Sequence, residues 1–517
     1  MGDNTELSGP DLEAGVKESE LAEGAMLLGH ARGEAVLLAR MGDAVHAIGA
    51  TCTHWSGPLA EGLLVDGQVR CPWHHACFDL ATGEAVHAPA LKPVPCFVVR
   101  RSGGRITVGG RIEVPAAQPP DVPTPERIVI VGAGAAGNAA AEMLRRAGFQ
   151  GRITMVGMES DLPYDRPNLS KDYLAGNAQE EWIPLRSLEF YAEQAIDLVL
   201  DATAVAVDAA AHEVKLDNDR SVPYDRLLLA TGAEPVRLAI PGADLPQVHL
   251  LRSFSDSKAI IAAAASAKQA VVVGASFIGL EVAASLRARG LAVAVAAPDK
   301  IPFEKVLGAD VGRWVRSVHE EHGVEFHLGL GVTSIAEDGV TLTDGTVLPA
   351  DLVVLGVGVR PRLALAESAG LTLDKGVVVD SEMRTSQPDI FAAGDIARFP
   401  DPRSGAMVRI EHWVVAERQG QTAARNMLDA GEQFDSVPFF WSSHYDTSIT
   451  YVGHAPSWDE AVIDGDLAAR DATITYRRAG KVLAVATIGR DLAALRAEVE
   501  LEHHDVSRAR QAQAGAE

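Results

Sequence analysis

Cysteine is scarce in this chain: 517 residues hold only Cys52, Cys71, Cys77 and Cys96. So few thiols exclude a disulfide framework and point to a reducing compartment, so a cytoplasmic location is expected. Basic residues are in deficit as well. Forty-six Lys and Arg against 70 Asp and Glu give a net charge of −24. That balance argues against nucleic acid or an anionic membrane as a partner; it reads as a solubilising surface and would also suit a basic redox partner. Long apolar runs are missing. The most apolar stretch, Ala259 to Leu286, contains Lys268 and Glu281 and is broken by Gly274 and Gly279. It reads as helix, buried strand and helix, not as a membrane span. The N-terminal Met1–Glu6 is polar and acidic, without the basic start and apolar core of a secretory signal. The length suggests three or four domains.

Two of the four cysteines belong to a pattern. Cys52-Thr53-His54 is followed, sixteen residues further on, by Cys71-Pro72-Trp73-His74. Two thiolates on one iron and two imidazoles on the other suit a [2Fe–2S] cluster that moves single electrons. A Cys₂His₂ set also suits zinc. The flanks are Ser56-Gly57-Pro58-Leu59 after the first pair, then Ala76-Cys77-Phe78-Asp79 and Thr82-Gly83-Glu84 after the second. With these flanks the segment resembles the Rieske ferredoxin family. The resemblance implies Cys52, His54, Cys71 and His74 as metal ligands. It departs from the family at His75, where glycine is usual; a bulky residue replaces one that permits close backbone approach, and His75 is an alternative ligand. High-potential members staple their two loops with an extra cysteine in each; the first loop here has none, so that bond cannot form, and Cys77 reads as a small buried thiol.

Around this motif, from about Leu12 to Val108, short strands alternate with glycine-containing turns: Ala35–Ala39, Ala44–Ile48, Val94–Arg100 and Arg105–Val108. This spacing suggests a small all-β domain. Residues 1–10 read as a tail. Val114 to Pro125 holds five prolines in twelve residues and reads as a semi-rigid linker. Then the character changes. The apolar run Arg127–Val131 enters Gly132-Ala133-Gly134-Ala135-Ala136-Gly137 and an alanine-rich helix. This is a dinucleotide-binding turn in its proper context: one glycine for the turn, one to admit the pyrophosphate, one for helix–strand packing. A second strand, Arg152–Val156, leads to Glu159, placed to meet a ribose hydroxyl. The arrangement recurs about 140 residues later in Ala270–Val273, Gly274-Ala275-Ser276-Phe277-Ile278-Gly279 and a helix bearing Glu281, which implies two dinucleotides, or one site and a decayed copy. The first turn is not followed by a Cys-x-x-Cys, which argues against disulfide reductase chemistry.

Further segments carry a second resemblance. They are Pro163 to Lys171, including Arg166; Thr231-Gly232; Gly358; Gly394-Asp395; Glu411-His412-Trp413; and Phe440-Trp441-Ser442. From Glu126 to about Leu495 the chain resembles the glutathione-reductase-like flavoproteins. It is nearest the reductases of oxygenase ferredoxins and the apoptosis-inducing-factor-like branch that carries an N-terminal Rieske module. The resemblance implies a multidomain protein. Residues 1–110 would be an all-β Rieske domain and 111–125 a linker. An α/β flavoprotein would follow, with two Rossmann-type domains: an FAD domain split over 126–245 and 372–430, and an NAD(P) domain at 246–371. An α+β interface domain would close the chain at 431–517, with a polar tail after Leu501. The implied cofactors are FAD, a [2Fe–2S] cluster and NAD(P)H, with NADH favoured because Asp299 follows the second strand of the NAD domain. Lys171 and Glu281 would tune the flavin. The cofactors would be bound by Gly132, Gly134, Gly137, Glu159, Arg166, Lys171, Thr231, Gly232, Gly274, Gly279, Glu281, Asp299, Gly358, Gly394, Asp395, Glu411, His412 and Trp441. The implied activity is an NAD(P)H-dependent reductase that passes electrons through flavin and cluster to an acceptor protein such as an oxygenase or cytochrome. An NADH oxidase and a redox-sensing interaction protein are the alternatives, and the protein would be a monomer or homodimer.

Overall fold

The computed structural model describes residues 7–113 and 125–514; for residues 504–514 it describes only the helical backbone. The expected linker falls outside the described residues, apart from Arg111, Ile112, Glu113 and Pro125, and most of the expected N-terminal tail does so too. Arg111 and Ile112 complete the strand Arg105–Ile112. The chain forms two compact units, and the second runs from the start of the flavoprotein segment to Arg490. The first contains the N-terminal β-rich segment, Arg146–Gly148 and, unexpectedly, everything from Asp491 onward.

In the first unit an antiparallel six-stranded sheet has the order Val16–Lys17, Arg105–Ile112, Cys96–Ser102, Ala44–Gly49, Glu34–Met41, Met26–Ala31. The strand Glu34–Met41, next to the edge strand, feeds two cores. Successive side chains on a strand point to opposite faces. Leu37 and Ala39 enter a core with Ile48, Val69 and Phe78, whereas Val36 and Leu38 enter a second core with Leu12, Phe97 and Ile106. A smaller sheet of Leu63–Val65, Gln68–Arg70, Cys77–Asp79 and Ala85–His87 carries the second cysteine loop. The segment after Leu501, expected as a polar tail, is helical: the last helix runs Asp491–Ala514.

The second unit has two five-stranded parallel sheets. One has the order Ile196–Val199, Arg152–Val156, Arg127–Val131, Arg226–Leu229, Ile390–Ala392. The other has the order Val248–Leu250, Leu352–Leu355, Gln269–Val273, Ala292–Ala297, Val324–Leu328. Their strands are near-continuous apolar runs, as expected where helices cover both faces. The apolar stretch read as helix, strand and helix is Phe254–Ala264, Gln269–Val273 and Phe277–Ala288. A third, antiparallel sheet of Phe439–His444, Thr447–Gly453, Lys481–Ile488, Asp471–Arg478 and Glu460–Asp466 places Ile449, Tyr451 and Ile474 in one core with Val272 and Val295 of the second sheet and Leu280 of the helix Phe277–Ala288. Among the described residues no helix is long and apolar enough to cross a membrane.

Candidate cluster site and dinucleotide cavity

In the first unit the two cysteine loops share one backbone design. Cys52 N–H donates to Gly57 O at 2.9 Å and Cys71 N–H to Ala76 O at 2.8 Å. Four residues beyond each cysteine the chain turns left-handed, at Ser56 with φ 58° and at His75 with φ 60°. The loops bring like to like. His54 Nδ1 lies 3.2 Å from His74 Nδ1, while the Cys52 and Cys71 thiols hydrogen-bond each other. That bond and burial push Cys52 up, whereas the same bond and the backbone N–H groups of Trp73 and His74 pull Cys71 down, although burial opposes the shift. A Cβ on Gly57 would stand 2.6 Å from Cys71 Sγ, so glycine is what allows the first loop to close over the thiol pair. Among the described residues no three His, Cys, Asp or Glu side chains converge on one metal ion. The two-by-two pairing matches a two-iron cluster, which takes two thiolates on one iron and two imidazoles on the other. The residues therefore fit a [2Fe–2S] group.

His75 is not turned toward this group. Its fully buried imidazole places Nδ1 2.6 Å from Glu498 Oε2, on the last helix. Arg70, one residue before Cys71, grips Glu502 with two bonds of 3.0 and 2.6 Å and stands 3.9 Å from Glu498. A left-handed residue would ordinarily be glycine; here its side chain is tied down by a carboxylate from the other end of the sequence. Cys77 is buried, its thiol donating to His75 O at 3.4 Å, and neither it nor Cys96 is in a disulfide.

In the second unit a cavity of about 1360 Å³ is lined by residues from both dinucleotide turns and from the third sheet. Each glycine of the first turn has its own reason. Gly132 has φ 115°, and a Cβ there would strike Ala230 O at 2.1 Å; one on Gly137 would strike Gly132 O at 1.9 Å. Gly134 is open, with only Arg166 within reach at 4.0 Å, so the backbone is bare where it borders the cavity. In the second turn Gly274 and Gly279 repeat the tight contacts, at 2.4 and 2.2 Å from the carbonyls of Gly356 and Gly274. Ser276 stands in the open position and caps its helix through Gly279 N–H at 3.1 Å.

Of the remaining residues expected from the sequence, Glu159, Arg166, Lys171, Thr231, Gly232, Glu281, Gly358, Gly394, Asp395, Glu411, His412 and Trp441 line this cavity. Glu159 accepts a bond from Tyr164 Oη at 2.6 Å and faces Arg166 at 3.5 Å. Lys171 Nζ is 2.9 Å from Glu281 Oε2, and the pair is buried. Ser170 and Ser442 also donate to Glu281, at 2.5 and 2.6 Å. Trp441 stands with its ring centre 6.0 Å from Lys171 Nζ. Burial pushes Glu411 up despite Arg409 at 2.5 Å. It pushes His412 down to about 3, and His412 Nδ1 is buried with no hydrogen-bond partner. Asp299 is absent from the lining, as are Gly137, Gly274 and Gly279, which pack the turns themselves; Asp299 pairs with Lys305, which is present there, at 3.2 Å. Reading the sequence missed Arg252, which binds Asp395 at 2.7 Å on the cavity wall. A long cavity between two glycine turns, with an open glycine, an unpartnered buried nitrogen and a buried ion pair, fits a bound dinucleotide of the FAD type.

These features define an FAD- and nicotinamide-dependent oxidoreductase, and comparison with known proteins agrees. Residues 126–420 match the family described as pyridine nucleotide-disulphide oxidoreductase, residues 14–98 the Rieske [2Fe-2S] domain and residues 439–515 the reductase C-terminal domain. The chain is 35% identical over 502 residues to apoptosis-inducing factor 3 of Mus musculus, covering 93% of this chain and 81% of the relative. It is 36% identical over 375 residues to the anthranilate 1,2-dioxygenase system ferredoxin–NAD(+) reductase component of Burkholderia cepacia, covering 71% and 92%. Among solved structures, a chain of the covalent putidaredoxin reductase–putidaredoxin complex superposes with a TM-score of 0.71 and 33% identity, covering 74% of this chain and 94% of that one. The chain therefore belongs to the pyridine nucleotide-disulphide oxidoreductase family. Within that family it is a ferredoxin-reductase-type NAD(P)H–FAD oxidoreductase that carries its own Rieske [2Fe–2S] domain.

Proposed function

We propose that the chain takes a hydride from NADH at the cavity and releases the two electrons singly, through the Rieske cluster, to an acceptor protein such as an oxygenase or a cytochrome. The observation that carries this reading is the presence on one chain of a hydride-accepting cavity and a thiolate–imidazole site built for single electrons. When bound, the flavin accepts a hydride and gives up electrons one at a time, and the cluster carries one electron. The protein's share is to hold and tune them. Gly132, Gly134 and the start of the following helix would take the FAD pyrophosphate, Glu159 the ribose and Asp395 the flavin side chain. Lys171, neutralised by Glu281, would place a cation against the ring where electron density collects. Cys52, Cys71, His54 and His74 would ligate the irons. The name of the Burkholderia relative includes a dioxygenase system and a ferredoxin, which supports an oxygenase-type partner. Four buried cysteines that form no disulfide suit a cytoplasmic protein.

The test is anaerobic reduction by NADH followed by mixing with ferric cytochrome or an oxygenase ferredoxin. Flavin bleaching should precede appearance of the Rieske electron paramagnetic resonance signal, and both should precede acceptor reduction. Peroxide formed in step with NADH consumption in air, with acceptor left oxidised, would establish an NADH oxidase instead. NADH is proposed over NADPH because Asp299 follows the strand Ala292–Ala297 and a carboxylate there repels a 2′-phosphate. The expected kcat/KM ratio is ~10-fold or more in favour of NADH, the value of one ~1.4 kcal/mol interaction; a clear NADPH preference overturns this role for Asp299.

A further inference from the structure

The Lys171–Glu281 pair does not stop at the cavity wall. Ser442, whose hydroxyl meets Glu281 Oε1 at 2.6 Å, also meets His444 Nε2 at 3.1 Å. His444 Nδ1 lies 3.1 Å from His319 Nε2. His319 Nδ1 lies 3.4 Å from the hydroxyl of Tyr445. Tyr445 is partly exposed at the turn between Phe439–His444 and Thr447–Gly453, with the half-exposed His322 stacked on it at 3.6 Å. Glu281, Ser442, His444 and His319 are buried, at 2%, 1%, 2% and 0% exposure. Phe303 and Phe326 flank the two imidazoles at 5.9 and 6.1 Å. An unbroken file of hydrogen-bonding groups thus joins a buried carboxylate to the surface through an apolar wall.

We propose that Glu281, Ser442, His444, His319 and Tyr445 form a proton relay that carries away the proton left at the flavin when its electrons depart singly. The inference rests on the proposed placement of the flavin beside Lys171 and Glu281. The balance requires such a route. A hydride is one proton and two electrons. Two one-electron transfers to the cluster, and from it to an oxidised one-electron acceptor, remove both electrons and no proton. One proton per NADH must therefore reach solvent. The file has two self-consistent settings. With Glu281 ionised, every donor points inward: Tyr445 O–H to His319, His319 Nε2–H to His444, His444 Nε2–H to Ser442, Ser442 O–H to Glu281. With Glu281 protonated, every bond reverses and the proton is passed outward. Both settings need neutral imidazoles, each with one N–H and one lone pair. Burial pushes His444 down to about 3 and His319 to about 2, helped by Lys171 and by the neighbouring imidazoles respectively. Both therefore remain neutral across the working range.

The test uses the full-length protein loaded with FAD and cluster, as wild type, His319→Phe and His319→Gln, with the exposed His212→Gln as control. In a weakly buffered solution with a pH-indicating dye, the NADH-reduced protein is mixed with ferricytochrome. Breaking the relay should slow proton release and flavin reoxidation ~10-fold or more, the low end of what a positioned proton carrier contributes, and should change the solvent isotope effect on that phase. Flavin bleaching by NADH, which needs no proton from this file, should keep its rate, and the control should match wild type. A readout that needs no turnover is the ¹⁵N spectrum of the resting protein: both histidines should be neutral from about pH 5 to pH 8, the range in which an ordinary histidine titrates. Unchanged proton release in both His319 variants, or an imidazolium at either position, overturns the relay. Glu281→Gln separates the two layers. If it leaves bleaching and flavin spectrum unaltered, the flavin placement has failed; if it alters both while the His319 variants alter nothing, only the relay has failed.

Discussion

Changing Cys71 to Ser is expected to abolish the Rieske electron paramagnetic resonance signal completely and to leave FAD bound. Cys71 is buried at 1% exposure beside Cys52 and receives backbone N–H bonds from Trp73 and His74. Those bonds serve a thiolate; a serine hydroxyl stays protonated at neutral pH and is a poor partner for an iron that takes soft ligands. The residues expected to hold FAD belong to the other compact unit, so flavin content should not fall. The variant should still pass electrons from NADH to a small two-electron dye and should lose transfer to a one-electron protein acceptor. Undiminished cytochrome reduction would show that the flavin reaches the acceptor directly and would end the relay through the cluster. Zinc in place of iron in the parent protein would end it sooner.

Removing the Glu281 carboxylate should have the largest effect on stability. In Glu281→Ala the Lys171 ammonium, 14% exposed, loses its counter-charge, and the hydroxyls of Ser170 and Ser442 lose their acceptor. Breaking one side of a buried ion pair costs about 3–5 kcal/mol. Denaturant unfolding followed by flavin release should show the midpoint shifted to match. The double variant Lys171→Met/Glu281→Leu should recover most of that stability, since replacing both charges leaves no uncompensated charge, although the Ser170 and Ser442 hydroxyls still lack their acceptor, yet should accept hydride poorly. Equal stability of Glu281→Ala and wild type would mean that the pair is solvated and cannot tune a flavin.

Much of this was legible before any coordinates. The strand Arg127–Val131 and the helix behind it are local: an apolar run, a glycine turn and alanine spacing each specify their own geometry. That Cys52, His54, Cys71 and His74 come together was legible because spacing within two paired loops survives as sequence spacing. What could not be read were partners brought together by topology alone. Arg252 meets Asp395 across a chain separation that no periodicity marks. Ser442 and His319 look like ordinary sheet and helix residues until the third sheet packs on the second. His75 is instructive. The sequence marked it as foreign to its position, but its partner Glu498 falls in the segment that the resemblance assigns to the interface domain, far from the cysteine loops in sequence.

That helix sets an order in time. Arg70 and His75 are made first, and Glu502 and Glu498, which hold them, are made 432 and 423 residues later. At a synthesis rate of about 5–20 residues per second, roughly 20 to 80 s separate the two. During that interval a nascent chain carries a left-handed histidine and an arginine, both destined for burial, without the carboxylates that will receive them. The first unit is thus started before the second and completed after it, and the loop that carries His75 gains its buried carboxylate only once the residues of the flavoprotein unit have been made.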